Sequence, residues 1–133
     1  MQTKSVLTLA ETTRILDAAR AEAEKNHWPV AIAVVDDGGH LLGLLRLDNC
    51  APIGAEMAIG KACTSALGRR ESRLYEEMIN GGRTAFVSAP LVATLEGGVP
   101  LTVDGQVVGA VGVSGVKPGE DAQVAKAGAQ ALA

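Results

Sequence analysis

Lys61 and Thr64 stand three residues apart in Ala58-Ile59-Gly60-Lys61-Ala62-Cys63-Thr64, an otherwise apolar run of small side chains. On a helix that spacing places both on one face. An ammonium beside a hydroxyl suits a carboxylate or a carbonyl oxygen, whereas a lysine that snorkels to solvent would do no chemistry. Arg46 and Asp48 form a second pair, two residues apart at the end of an apolar run. They read either as a solvated ion pair worth little or as a guanidinium fork for a carboxylate with a proton acceptor beside it. Asp36 ends the run Val30 to Val35. It is suited to capping the turn that follows. To act as a general base it would need burial or a like-charged neighbour, for which Asp37 is the candidate. Gly97-Gly98, ahead of Val99-Pro100, could expose consecutive amides as a small anion nest, or could make a turn that only glycine tolerates.

Other chemistries find little support. His27 and His40 are the only histidines, and neither has a second His or Cys at ligand spacing, so no metal site within one chain is expected. His40, at a hairpin start, remains a candidate haem ligand or proton carrier. Cys50 and Cys63 lie apart from any paired Cys or His, which favours two reduced, buried thiols over a disulfide framework. No P-loop or G-x-S-x-G occurs, and the glycines at 109, 112 and 115 have the wrong spacing for a dinucleotide fingerprint. Their spacing suits the close approach of another backbone.

The elements that must position these residues follow from pattern and punctuation. Thr8-Leu9-Ala10-Glu11 is a capping box, and Ile15, Leu16, Ala19 and Ala23 recur at helical spacing, predicting a helix over about 9–26. Val30 to Val35, Asp36-Asp37-Gly38-Gly39 and His40 to Arg46 read as strand, turn and strand. Pro52 opens a helix that ends at Gly68, and a charged helix covers about 71–80. Residues 84–95 are open between a short strand and a helical turn. Residues 99–103 and 106–114 form a hairpin about Asp104-Gly105, and a last helix spans 120–132. Hairpins in place of strand–helix alternation imply one α+β domain over 1–133, an antiparallel sheet covered by helices.

The chain has 133 residues, with 22 alanines and 16 glycines but only Trp28, Tyr75 and Phe86 as aromatics. Three rings are too few for single-stranded nucleic acid to stack upon. A net charge of −3 leaves no basic footprint for a phosphate backbone or an anionic membrane. No run is apolar enough for a secretory signal or a membrane span, so the expected compartment is the cytoplasm.

Several blocks together carry a resemblance. Val34-Val35-Asp36-x-x-Gly39, Arg46-x-Asp48, Lys61-Ala62-Cys63-Thr64-Ser65-Ala66, Gly97-Gly98-Val99-Pro100 and Gly109 to Gly115 occur in the order found in the GlcG/HbpS-like family, the domain-of-unknown-function 336 group that includes PduO-type C-terminal domains. The resemblance covers essentially the whole chain. It implies a profilin-like α/β/α sandwich about a five-stranded antiparallel sheet, and a homo-oligomer. Alanine- and glycine-rich helices would suit such an oligomer by packing closely.

It also implies one of three roles. The first is a small-ligand protein of a catabolic operon that binds a small organic acid, with lyase- or isomerase-like turnover if it is an enzyme. Arg46 and Lys61 would then stabilise the carboxylate or oxyanion and Asp36 or Asp48 would take the proton, while Thr64, Gly97, Gly98 and Pro100 would line the ligand. The second is a haem- or corrinoid-binding protein, with His40 the candidate ligand. The third is a non-catalytic partner of an operon enzyme. Poverty in aromatics favours the small polar ligand, because haem pockets are usually lined by bulky rings.

Overall fold

A computed structural model describes residues 1–133. Helix α1 (Leu9–Lys25) begins where the Glu11 carboxylate accepts the Thr8 amide at 2.8 Å. Strands β1 (Ala31–Asp36) and β2 (Leu41–Arg46) form the first hairpin, followed by α2 (Ile53–Gly68) and α3 (Arg73–Asn80). The ambiguous segment resolves as a 3₁₀ turn, Thr84–Ser88. Strands β3 (Gly98–Val103) and β4 (Gln106–Ser114) and helix α4 (Pro118–Gln130) complete the chain. None of the helices is long and apolar enough to cross a membrane.

All pairings are antiparallel, in the order β2-β1-β4-β3. The sheet therefore has four strands, where the family resemblance implied five. The stretch between α3 and β3 spends its residues on the 3₁₀ turn and an irregular connection, so no further strand joins the sheet.

Side-chain alternation along β1 divides the core in two. Ile32 and Val34 join Val99, Leu101, Val111 and Val113 beneath α1 and α4, in a cluster with Ile15, Ala19, Val124 and Ala125. Ala31, Ala33 and Val35 face the other way, against Ala58, Ala62 and Ala66 of α2. That second layer is thin because the helix backbone lies almost on the strands. A Cβ at Gly112 would stand 2.0 Å from the Ala58 carbonyl oxygen and 2.5 Å from the Ala62 nitrogen, whereas one at Gly109 would meet the neighbouring strand, 2.3 Å from the Val35 carbonyl oxygen. The expected close backbone approach at these glycines is what the sheet contains.

Candidate functional site

Lys61 does not reach solvent, nor does it line an open cavity. It is 4% exposed. Its Nζ donates to the Val113 carbonyl at 3.0 Å and to the Asp121 carboxylate at 3.1 Å. The other Asp121 oxygen accepts the Val116 amide at 3.1 Å. The pair links α2 to α4 past the end of the sheet, with both side chains at most 5% exposed. Burial pushes the Asp121 carboxyl up from its usual range, and the neighbouring Lys61 opposes that shift. The anion that meets this lysine is therefore one of the chain's own carboxylates.

The paired glycines make room for the lysine. Gly97 has φ +134°, and a Cβ there would lie 2.6 Å from the Val113 oxygen and 2.9 Å from Lys61 Cδ. At Gly98 a Cβ would lie 2.2 Å from the Lys61 carbonyl oxygen. The Gly98 amide is occupied as well, donating to Ser72 Oγ at 2.8 Å, while the Ser72 amide donates to the Gly98 carbonyl at 3.0 Å. Thr64 Oγ accepts the Ala93 amide at 3.1 Å and so pins the connection into β3. Pro100 lies in β3 opposite Ala110. In this single chain the segment expected to bind a ligand holds itself together.

Asp36 caps its turn, its Oδ1 accepting the amides of Gly38 and His40, each at 2.9 Å. Arg46 lies at the opposite end of the hairpin, paired with Ala31. Five residues of strand separate those levels, about 17 Å. The structure thus leaves Asp36, Lys61 and Arg46 apart, and only Arg46 and Asp48 share a concavity. That concavity is an open basin of about 540 Å³, also lined by Arg20, Glu24, His27 and Trp28. Arg20 is held by Glu24 at 2.7 Å. His27 and Asn49, both at its rim, have φ of +58° and +71°.

The second feature of the hairpin was not foreseen as a site. Register places Leu41, Leu44 and Arg46 on the α2 side of the sheet, opposite Val35, Ala33 and Ala31. Leu41 is 48% and Leu44 37% exposed. Along the adjacent flank of α2 run Ile59, Cys63 and Leu67, spaced by four and hence aligned in a row. The turn closes one end: the Cys63 thiol donates to the Gly39 carbonyl at 3.2 Å, and Leu67 lies against Gly39. Burial, with a smaller push from Asp36, keeps that thiol's pKa above its usual value. Arg46 makes no ion pair. Together these side chains outline a half-exposed apolar trough between β2 and α2, and the unpaired Arg46, which lines the basin, stands beyond the end away from the turn. Its one sequence signal was Leu41-Leu42-Gly43-Leu44-Leu45, a strand without polar alternation.

Known proteins share this architecture. A family described as "Haem degrading protein HbpS-like" matches residues 7–130. Protein GlcG of Escherichia coli strain K12 is 60% identical over 114 residues, which is 86% of this chain and 85% of that one. A doubly substituted HbpS of Streptomyces reticuli superposes with a TM-score of 0.90 at 33% identity, over 100% of this chain and 91% of that one. The fold is also that of a PduOC:heme complex, at a TM-score of 0.85 and 23% identity, over 96% and 95% of the two chains.

Proposed function

Since this chain belongs to the HbpS-like family, we propose that it binds haem, and that the trough between β2 and α2 is where the porphyrin lies. The observation that supports this reading is the contiguous row of Leu41, Leu44, Ile59, Cys63 and Leu67, with the unpaired Arg46 beyond its end. A porphyrin is a planar apolar plate with two carboxylates on one edge. Apolar surface recovered from water drives the plate onto the leucines, and a guanidinium fork suits a propionate.

His40, at the turn that closes the trough, is exposed with its imidazole against Gly38, and it would be the residue to hold the iron. Bound haem would supply redox and oxygen chemistry through its iron. The chain's own contribution is to bury the plate, hold a propionate at Arg46 and present His40.

Hemin titration followed by the Soret band tests the reading. Saturable binding is expected, weakened at least tenfold by Leu44→Asp and by Arg46→Ala, and changed in band position by His40→Ala. Binding that is unsaturable, or indifferent to all three changes, would refute it.

The basin beside Arg46 supports a second reading, a small organic acid bound among Arg46, Asp48, His27 and Trp28. Lyase- or isomerase-like turnover there would rely on Arg46 and Asp48, because Asp36 and Lys61 are engaged elsewhere. Trp28 is the only tryptophan, so its fluorescence reports the basin directly. Saturable quenching by a small carboxylate, lost in Arg46→Ala, is the expected result, and no response across a panel of such acids would remove this reading.

A further inference from the structure

The basin of about 540 Å³ is built from two chain ends that the backbone fixes. One is the end of α1. The Trp28 amide donates to the Ala23 carbonyl at 2.9 Å and the His27 amide to the Glu24 carbonyl at 3.1 Å, with His27 at φ +58°. That is a Schellman close, and it sends Trp28 across the helix end. The other is the exit from β2. The Leu47 amide donates to the Val30 carbonyl at 2.9 Å, so the ladder with β1 runs one residue past Arg46. The chain then turns, the Cys50 amide returning to the Leu47 carbonyl at 3.2 Å with Asn49 at φ +71°. A positive φ at the third residue of a turn places Asp48 at its corner.

Four charged side chains line the basin, and they are not equivalent. Arg20 and Glu24 satisfy each other at 2.7 Å. Arg46 and Asp48 are both exposed and form no ion pair, either with each other or with any other side chain. Asp48 stands on the α1 side, where it joins Glu24 and Asp17 in holding the Arg20 pKa above its ordinary value. Arg46 stands on the other side, where it opposes the rise that burial causes in the Cys50 thiol.

An open cation and an open anion in one basin specify a ligand that carries both charges. A plain carboxylate would answer Arg46 but bring a second negative charge near Asp48. An ammonium on the same molecule removes that conflict, and the negative end of the α1 dipole favours it as well. Scale agrees. Residues two apart are separated by at most about 7 Å. The amine nitrogen and carboxyl carbon of an α-amino acid are about 2.5 Å apart, and a charge-assisted hydrogen bond at each end adds about 2.8 Å. Half-buried Trp28, Pro29, Leu45 and Leu47 supply apolar surface for an aliphatic side chain. The volume falls in the range of small-molecule clefts, about 300–1,000 Å³.

We propose that the basin binds a free α-amino acid with an aliphatic side chain, its carboxylate on Arg46 and its ammonium on Asp48. The proposal rests on the small-acid reading above and names the class of acid.

Amide chemical-shift titration of the full chain tests this with three probes on one carbon frame. They are L-leucine, 4-methylpentanoate, which lacks the amine, and 3-methylbutylamine, which lacks the carboxylate. Saturable shifts at His27, Trp28 and residues 46–49 are expected with L-leucine, at an affinity about tenfold or more above that of either other probe. Asp48→Asn should weaken L-leucine about tenfold and leave 4-methylpentanoate within about twofold, whereas Arg46→Ala should weaken both. If a variant fails to fold, the three-probe comparison on the wild-type chain decides by itself. Equal affinity for L-leucine and 4-methylpentanoate, or an equal loss of both in Asp48→Asn, overturns the amino-acid proposal and leaves the small-acid reading standing. Equal affinity for L-leucine and 3-methylbutylamine overturns the role given to Arg46 and with it the proposal. So does the absence of saturable shifts with all three at about 20 mM, well above a weak millimolar Kd. The small-acid reading falls with it only when the wider carboxylate panel also leaves Trp28 fluorescence unchanged.

Discussion

The two edges of the sheet are built on opposite principles. At β3, Ser72 exchanges two hydrogen bonds with Gly98, Pro100 carries no N–H, and Lys61 passes beneath the glycines to meet Asp121. Every polar group described there has a partner within the chain. At β2 the backbone edge is bare, three leucines face solvent, and Arg46 has no carboxylate partner. Each edge has one cation from the sequence blocks that seemed able to do chemistry. One is consumed by the fold and the other is left free. The lesson is that a basic residue in a distinctive block is informative only once its counter-charge is known.

This contrast can be broken most severely at the buried pair. Asp121→Ala would leave the Lys61 ammonium buried without its partner, and a loss of about 3–5 kcal/mol is expected by urea unfolding. Replacing both residues, Lys61→Met with Asp121→Leu, should recover much of that loss. If Asp121→Ala is neutral, the β3 edge is not closed in the sense argued here.

A smaller loss, about 3 kcal/mol, is expected for Gly98→Ala, whose new Cβ would collide with the Lys61 carbonyl. Ser72→Ala removes the acceptor for the Gly98 amide and the donor to the Leu95 carbonyl. It should cost about 1–3 kcal/mol. At the other edge Arg46→Ala is expected to change stability by no more than about 0.5 kcal/mol, as for an exposed residue without a partner. Its effect should appear in ligand binding and not in stability. A large stability loss there would mean that the guanidinium is structural after all.

The smallest expected effect is in the alkaline limb. Burial raises the thiols of Cys50 and Cys63 above their ordinary value of 9.0. The folded chain then keeps protons that the unfolded chain releases. The stability this contributes is complete below the ordinary thiol range and is lost as pH rises through the raised folded values. The Tm of Cys50→Ala/Cys63→Ala should therefore fall less than that of wild type between pH 8 and 10. Parallel declines would contradict the burial account.

Much of the fold was legible because it rests on local signals. The capping box at Thr8 and Glu11, the β-branched run at Val30 to Val35, the Asp104-Gly105 turn and the closely packed glycines of β4 each declare their geometry within a few residues. The candidate site was less so. Arg46 with Asp48 was seen as a pair and does share a basin, but Lys61 was separated from its counter-ion by sixty positions of sequence. Asp121 itself was read only as part of a helix start. The leucines of β2 read as ordinary strand residues, because a run without polar alternation does not say whether its strand is central or at the edge.

What the sequence determined by itself, then, is the set of elements, their antiparallel hairpins, the small residues that let α2 lie on the sheet and the family to which the chain belongs. Those properties follow from dihedral preference, hydrophobic period and glycine's lack of a Cβ, all of which act over short distances. Only the tertiary structure decided which charges are cancelled and which remain, and which strand is left at the border. Charge compensation and edge exposure depend on partners far apart along the chain, and they exist only after the sheet has been ordered.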